Sequence, residues 1–284
     1  ATEPEAEIPD EPYPEGKERA RWHIEAAMRT HARVFGEPPR GVWPAEGGVS
    51  SETLALFAAC GFQWAATGEA VLNHSLGAAA RAAAGASPLY APWRVDTPQG
   101  AMALVFRDDR LSDKIGFEYQ HWDQGEAVRD LVRELEAIHA RMQGHPAPLV
   151  ALILDGENAW SYYPEGGALF LRGLYRALAE HPKLKMTTIG GYLDFHPPEQ
   201  KLERLVPGSW VFGTFSTWIG HPAKTEAWRR LIRAKRALDR AWPRLTPKAQ
   251  EAALEALAIC EGSDWTWWLA EHNPDDTVQD FDAL

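Results

Sequence analysis

Two carboxylates in this chain stand where bond-breaking chemistry is easily built. Gly41-Val42-Trp43 reads as a short strand running into Pro44-Ala45-Glu46-Gly47-Gly48, and the apolar run Pro148 to Leu154 stops at Asp155-Gly156-Glu157-Asn158-Ala159-Trp160. Parallel α/β folds form their active sites at the carboxyl ends of strands, so Glu46 and Asp155 each fall at such an end. The glycines beside them let a ligand approach the backbone closely. Two carboxylates at one cleft are what glycosidic cleavage requires. One arrives protonated and gives its proton to the leaving oxygen; the other arrives ionised and attacks or steadies the oxocarbenium-like centre. The plainer alternative, a carboxylate that caps a helix or ties a loop, is left open by the pattern alone.

The elements that must hold these residues follow from the periodicity. A helical pattern over Lys17–Phe35 is closed by Gly36 and Pro38-Pro39. Ser50 and Ser51 can cap a helix to about Cys60, Gly61 ends it, and Phe62–Ala66 reads as the next strand. The Ala/Gly stretch 77–88 reads as a loose helix or loop, and Tyr90–Val95 and Met102–Phe106 as strands. A long amphipathic helix covers Gly125–Met142, and the run ending at Leu154 looks like a strand covered on both faces. A helix near Ala168–Glu180, a strand near Leu184–Thr188 and a short helix near Gly190–Phe195 follow, and from about His221 the pattern is nearly all helical. This alternation predicts an α/β fold with a parallel sheet or barrel and a helical region after it. An eight-stranded barrel takes about 250 residues. About four crossover strands can be read here, so the sheet is open or the barrel partial.

Composition narrows the function classes. With 29 Lys+Arg against 40 Asp+Glu, the net charge of -11 argues against nucleic acid or an anionic membrane as partner. No apolar run approaches the roughly 20 residues of a membrane span, and ATEPEAEIPD carries no signal-peptide pattern. Two cysteines, Cys60 and Cys260, in Ala/Leu-rich helical stretches read as buried thiols in a reducing, cytoplasmic setting. The 13 tryptophans include Trp265, Trp267 and Trp268 beside Asp264, a grouping suited to the apolar face and hydroxyls of a sugar.

GVWPAEGGVS, ALILDGENAW, WIGHP and EGSDWTWW, in this order and with FRDDRLSD between the first two, resemble glycoside hydrolase family 57, most of all its amylopullulanase-type and α-amylase-type members. The resemblance implies a (β/α)7 barrel followed by a helical bundle, with residues 1–215 supplying barrel and 216–284 the helical region that completes the cleft. It implies retaining cleavage or transfer on α-1,4- or α-1,6-linked glucan such as starch or glycogen, with no cofactor and no metal. Carried over residue by residue, Glu46 matches the nucleophile, Asp155 the general acid/base and Glu157 a carboxylate near the site. Asp264 would hold sugar hydroxyls with Trp265 stacking, and Trp43, Trp218 and His221 would wall subsites. The family's His-containing motif on the first barrel strand and the motif before the nucleophile are not found, so the chain reads as a fragment lacking the N-terminal part of the barrel.

Two further functions compete: a catalytically silent glucan-binding fragment, and a metal-dependent polysaccharide deacetylase, whose Asp/His metal triad is not visible. The basic stretch Lys224–Arg244 reads as a solvated helix face. Arg107, Asp108, Arg110 and Asp113 read as an ion-pair network fixing a loop, with a hydrogen-bond network at the cleft as the other possibility.

Overall fold

The fold is known from a computed structural model, which describes residues 6–84, 87–145, 147–156, 159–269, 274 and 277–280. In chain order its helices and strands are α1 Gly16–Phe35, β1 Gly41–Val42, α2 Ser51–Ala59, β2 Trp64–Gly68, α3 Glu69–Ala84, β3 Trp93–Thr97, β4 Gly100–Arg107, α4 Asp109–Asp113, α5 Gln124–Arg141, α6 Ala168–Ala179, α7 Ile189–Leu193, β5 Gln200–Lys201, α8 Pro222–Ala241, α9 Pro247–Cys260 and α10 Asp264–Trp268. They divide into two compact units, Arg40–Val206 and the pair of segments Ala1–Pro39 and Pro207–Leu284.

The first unit is built on a five-stranded sheet of order β1-β2-β4-β3-β5. β1, β2 and β4 run parallel, with Val42 opposite Ala65 and Ala65 opposite Leu104. β2 and β4 are the central strands. Ala65, Ala66, Leu104, Val105 and Phe106 are buried on both faces, as expected where helices cover a parallel sheet. β3 alternates instead: Trp93 and Val95 are buried, Arg94 and Asp96 are not. It pairs antiparallel with β4. Only Pro98 and Gln99 join the two strands, far fewer than the dozen or so residues a parallel crossover needs. The fold is therefore a mixed α/β sheet, mostly parallel, and no closed ring of strands is formed among the described residues.

The run before Asp155 makes only one ladder pair, Ala151 with Arg107 in parallel register. Its side chains nonetheless alternate between two cores. Val150, Leu152 and Leu154 pack against the cluster that includes Leu131, Ile138 and Phe170 of α5 and α6. Leu149 and Ile153 pack on the opposite side, against Ala66, Val105 and Ala151. Alternate side chains thus enter two separate cores, which is why the sequence reads as continuously apolar. Leu184–Thr188 forms no strand. The amides of Lys183 and Leu184 donate to His181 Nδ1 rather than to a neighbouring strand, and Met186 is exposed.

The second unit is helical, as its sequence predicts. The N–H of Gly36, at a φ of 84°, closes α1 on Ala32 O. The Thr246 side chain caps α9 through Ala249 N. The basic face of α8 is not simply solvated: Arg229 pairs with Glu7, Arg236 with Glu11 and Lys235 with Glu15, so the acidic leading segment neutralises it. Cys260, at the end of α9, is exposed and Cys60 half-buried, so neither is the buried thiol that its surroundings in the sequence suggest.

Candidate active site

β1 delivers Trp43 and Pro44 into a single turn, Ala45–Gly47, at the carboxyl edge of the sheet. Glu46 sits there with φ 56° and ψ 23°, a left-handed conformation that a residue with a side chain adopts at a cost. Gly47, at φ 59°, is needed twice over, because a Cβ there would also lie 2.6 Å from the Trp43 ring. The turn is fastened from β2: the hydroxyl of Thr67, fully buried, donates to Gly47 O at 2.6 Å. Trp43 packs against the Ala66, Val105 and Ala151 cluster.

Asp155 leaves the same edge two strands further along, beyond β2 and β4. Ile153, two residues before it, packs against the cluster that also receives Trp43. The loops carrying Glu46 and Asp155 therefore rise from one edge and over one core. Both residues are half-buried. Glu157 lies outside the described residues.

The FRDDRLSD segment is an ion-pair and hydrogen-bond network that fixes a loop. The Arg107 side chain, 4% exposed, reaches Asp109 at 2.9 Å and Asp113 at 2.6 Å. Asp108 caps α4 through Leu111 N and accepts from Tyr90 Oη. Arg110 points elsewhere, to Glu134 on α5 at 2.7 Å.

The four remaining candidates belong to the helical unit. Trp218 is buried, with its ring centroid 6.1 Å from that of Trp267. His221 caps α8, its Nδ1 accepting from Ala223 N at 3.2 Å. Asp264 is exposed at the start of α10, and Trp265 beside it donates from Nε1 to Ile259 O at 3.1 Å.

A family model matches residues 8–203 and is described as glycosyl hydrolase family 57. The chain belongs to glycosyl hydrolase family 57. The solved structures it resembles include a family 57 branching enzyme from Pyrococcus horikoshii, with TM-score 0.68, 16% identity, and 93% of this chain and 58% of that one covered. A 4-α-glucanotransferase from Thermococcus litoralis gives TM-score 0.63 at 18% identity, covering 85% of this chain and 41% of that one. An α-amylase from Thermotoga maritima gives 0.66 at 16% identity, covering 95% and 62%. At such identities the likeness is one of fold, and the chain spans at most 62% of these three proteins. Among curated proteins none matches it. No helix is long and apolar enough to cross a membrane, and among the described residues no cluster of three or more His, Cys, Asp or Glu could hold a metal ion.

Two carboxylates of this family 57 chain escaped the sequence reading. Glu69 stands at the carboxyl end of β2, between the Glu46 turn and the end of β4. Burial, then the charges of Asp109 and Asp108, push its carboxyl above the usual range. Setting the end of β2 at Gly68 instead of Ala66 brings it under the strand-end rule that selects Glu46. In the helical unit, Glu261 opens the EGSDW motif and anchors it. It accepts from Tyr13 Oη at 2.5 Å and Arg19 Nη2 at 2.7 Å, and His23 Nε2 lies 2.7 Å away. Burial alone would raise its carboxyl; the bonds from Arg19, Tyr13 and His23 outweigh that and hold it low.

Proposed function

We propose that this family 57 chain is the core of a retaining enzyme acting on α-linked glucan, with Glu46 as nucleophile and Asp155 as general acid/base. The observation that carries the reading is the shared footing of the two loops: Trp43 and Ile153 pack on one cluster beneath one sheet edge. Glu46 attacks the anomeric carbon while Asp155 gives its proton to the departing glycosidic oxygen, leaving a covalent glycosyl-enzyme. Asp155 then takes a proton from the acceptor as its oxygen attacks the same carbon and Glu46 leaves. Water as acceptor gives hydrolysis; a sugar hydroxyl gives transfer. Retention requires the carboxyl groups to come within roughly 5–5.5 Å of each other. The names of the similar structures, an α-amylase, a branching enzyme and a glucanotransferase, support α-glucan as the substrate class.

The helical unit carries sugar-binding candidates of its own in this reading. Asp264, exposed, is the candidate there for holding sugar hydroxyls, and Trp265 for stacking on a ring. Trp43, packed against the core of its own unit, and Trp218 and His221, one buried and one engaged as a cap within theirs, are structural supports rather than direct sugar contacts in this reading.

The test uses the intact protein on maltoheptaose and amylose. Glu46→Gln and Asp155→Asn are each expected to lower turnover by at least about 10³-fold, and product NMR to give the α-anomer first. Wild-type turnover in Glu46→Gln, or a β-anomer as first product, overturns the assignment. Tight glucan binding by a wild type without turnover establishes the silent binding protein instead.

A further inference from the structure

We infer that Arg107, assisted by Ser112, is the positioning residue for Asp155; this rests on the acid/base reading above. In a continuous ladder, the backbone groups of Ile153 would bond to a neighbouring strand. That neighbour, β4, ends at Arg107, and the chain turns into α4. Two side chains take over where the ladder stops. Arg107 Nε donates to Ile153 O at 2.8 Å, and Ile153 N donates to Ser112 Oγ at 3.2 Å. Just before, Asp108 N donates to Ala151 O at 2.9 Å. Both polar backbone groups of the residue two places before Asp155 are thus satisfied by side chains from one turn.

The guanidinium cannot swing away. Nη1 is held by Asp109 Oδ1 at 2.9 Å and Nη2 by Asp113 Oδ1 at 2.6 Å, and the side chain is nearly closed to solvent. Ser112 is fully buried. The fork geometry of arginine is needed, because three acceptors lie in three directions around one planar group; a lysine ammonium carries the charge but not the fork. FRDDRLSD is then a device that transmits the position of β4 to the acid/base loop.

The experiment measures kcat and KM on maltoheptaose for the intact protein, well below each variant's melting midpoint. Arg107→Gln and Arg107→Lys are each expected to lower kcat by about 10–100-fold with KM little changed, the loss an ångström-scale misplacement of a catalytic group brings. Ser112→Ala is expected to lower it by about 3–10-fold. Arg110→Gln, in the same turn but bonded outward to Glu134, keeps the wild-type kcat whatever it does to the melting midpoint. Should Arg107→Gln not fold, Arg107→Lys and Ser112→Ala carry the test. An active wild type whose Arg107→Lys and Ser112→Ala variants keep full kcat, or lose only affinity, overturns this inference alone. A wild type with no turnover on any α-glucan overturns the functional reading, and this inference with it.

Discussion

The left-handed backbone of Glu46 yields a prediction separable from its chemistry. At φ 56° and ψ 23°, a residue with a Cβ costs roughly 1–2 kcal/mol relative to the right-handed region. Glycine avoids most of that cost but loses more freedom on folding, roughly 0.5–1 kcal/mol against alanine. Glu46→Gly and Glu46→Ala both delete the carboxylate, so their difference isolates the backbone. The glycine variant is expected to be the more stable by about 1 kcal/mol, which for a domain of this size is about 2–4 °C in Tm. Thermal and urea unfolding followed by circular dichroism measure it, and glucan cleavage assays of the same samples should find both variants inactive. A more stable inactive variant is the expected mark of strain retained for function. An alanine variant as stable as the glycine variant, or more so, refutes the left-handed geometry and the reasoning built on it.

Further predictions follow from neighbouring contacts. Gly47→Ala places a Cβ 2.6 Å from the Trp43 ring at a φ of 59°, and is expected to cost about 2–4 kcal/mol in urea unfolding. Lys114 beside Asp130, and Arg110 with Lys114 beside Glu134, hold both carboxyls at about 2. Stability from this pair is present above pH 5 and lost as the pH falls toward 2, by about 1 kcal/mol each at such partly solvated positions. Asp130→Asn should flatten that acid limb in unfolding curves taken from pH 6 to pH 2. Burial lowers Lys224 to about 8 from its ordinary 10.5, and its ammonium donates to Thr217 O. Between those values the unfolded chain holds a proton the folded chain has shed, so stability rises with pH through the window, by roughly 1–3 kcal/mol. Lys224→Met should abolish the rise.

How much of this was legible in the sequence depends on which force wrote it. Burial writes in hydrophobic pattern, so α1, α5 and α6 stand within a residue or two of their expected limits. The Ser50 cap, accepting from Thr53 N at 3.1 Å, was legible for a different local reason, the hydroxyl beside a helical run. β2 was cut short at Ala66 because its last inward position is a polar residue. Thr67 is fully buried through one hydrogen bond to Gly47 O, and a pattern of apolar residues cannot register that. Glu69 was lost with it. Both strands of the β3–β4 hairpin are legible in the sequence, and their short connection excludes a crossover. The left-handed turn at Glu46 is not legible at all, because nothing in Pro-Ala-Glu-Gly sets the glutamate in that conformation along with the glycine after it.

The same distinction explains why the run into Asp155 could be read as a strand and yet barely pairs as one. Its side chains enter two cores, so its composition is that of a central strand. At Ile153 its backbone bonds go to the side chains of Arg107 and Ser112, residues over forty positions earlier that composition alone assigns to a surface loop. A ladder would fix the segment residue by residue; here two side-chain bonds fix it at Ile153, two residues before Asp155. Arg107 and Ser112 are buried because they complete a backbone that the sheet does not. The type and spacing of the polar residues in FRDDRLSD follow from the fork of one guanidinium reaching a carbonyl and two carboxylates at once. A substitution there acts on the Asp155 loop before it acts on the core, so on the proposed reading the loss of catalytic geometry should precede the loss of folding.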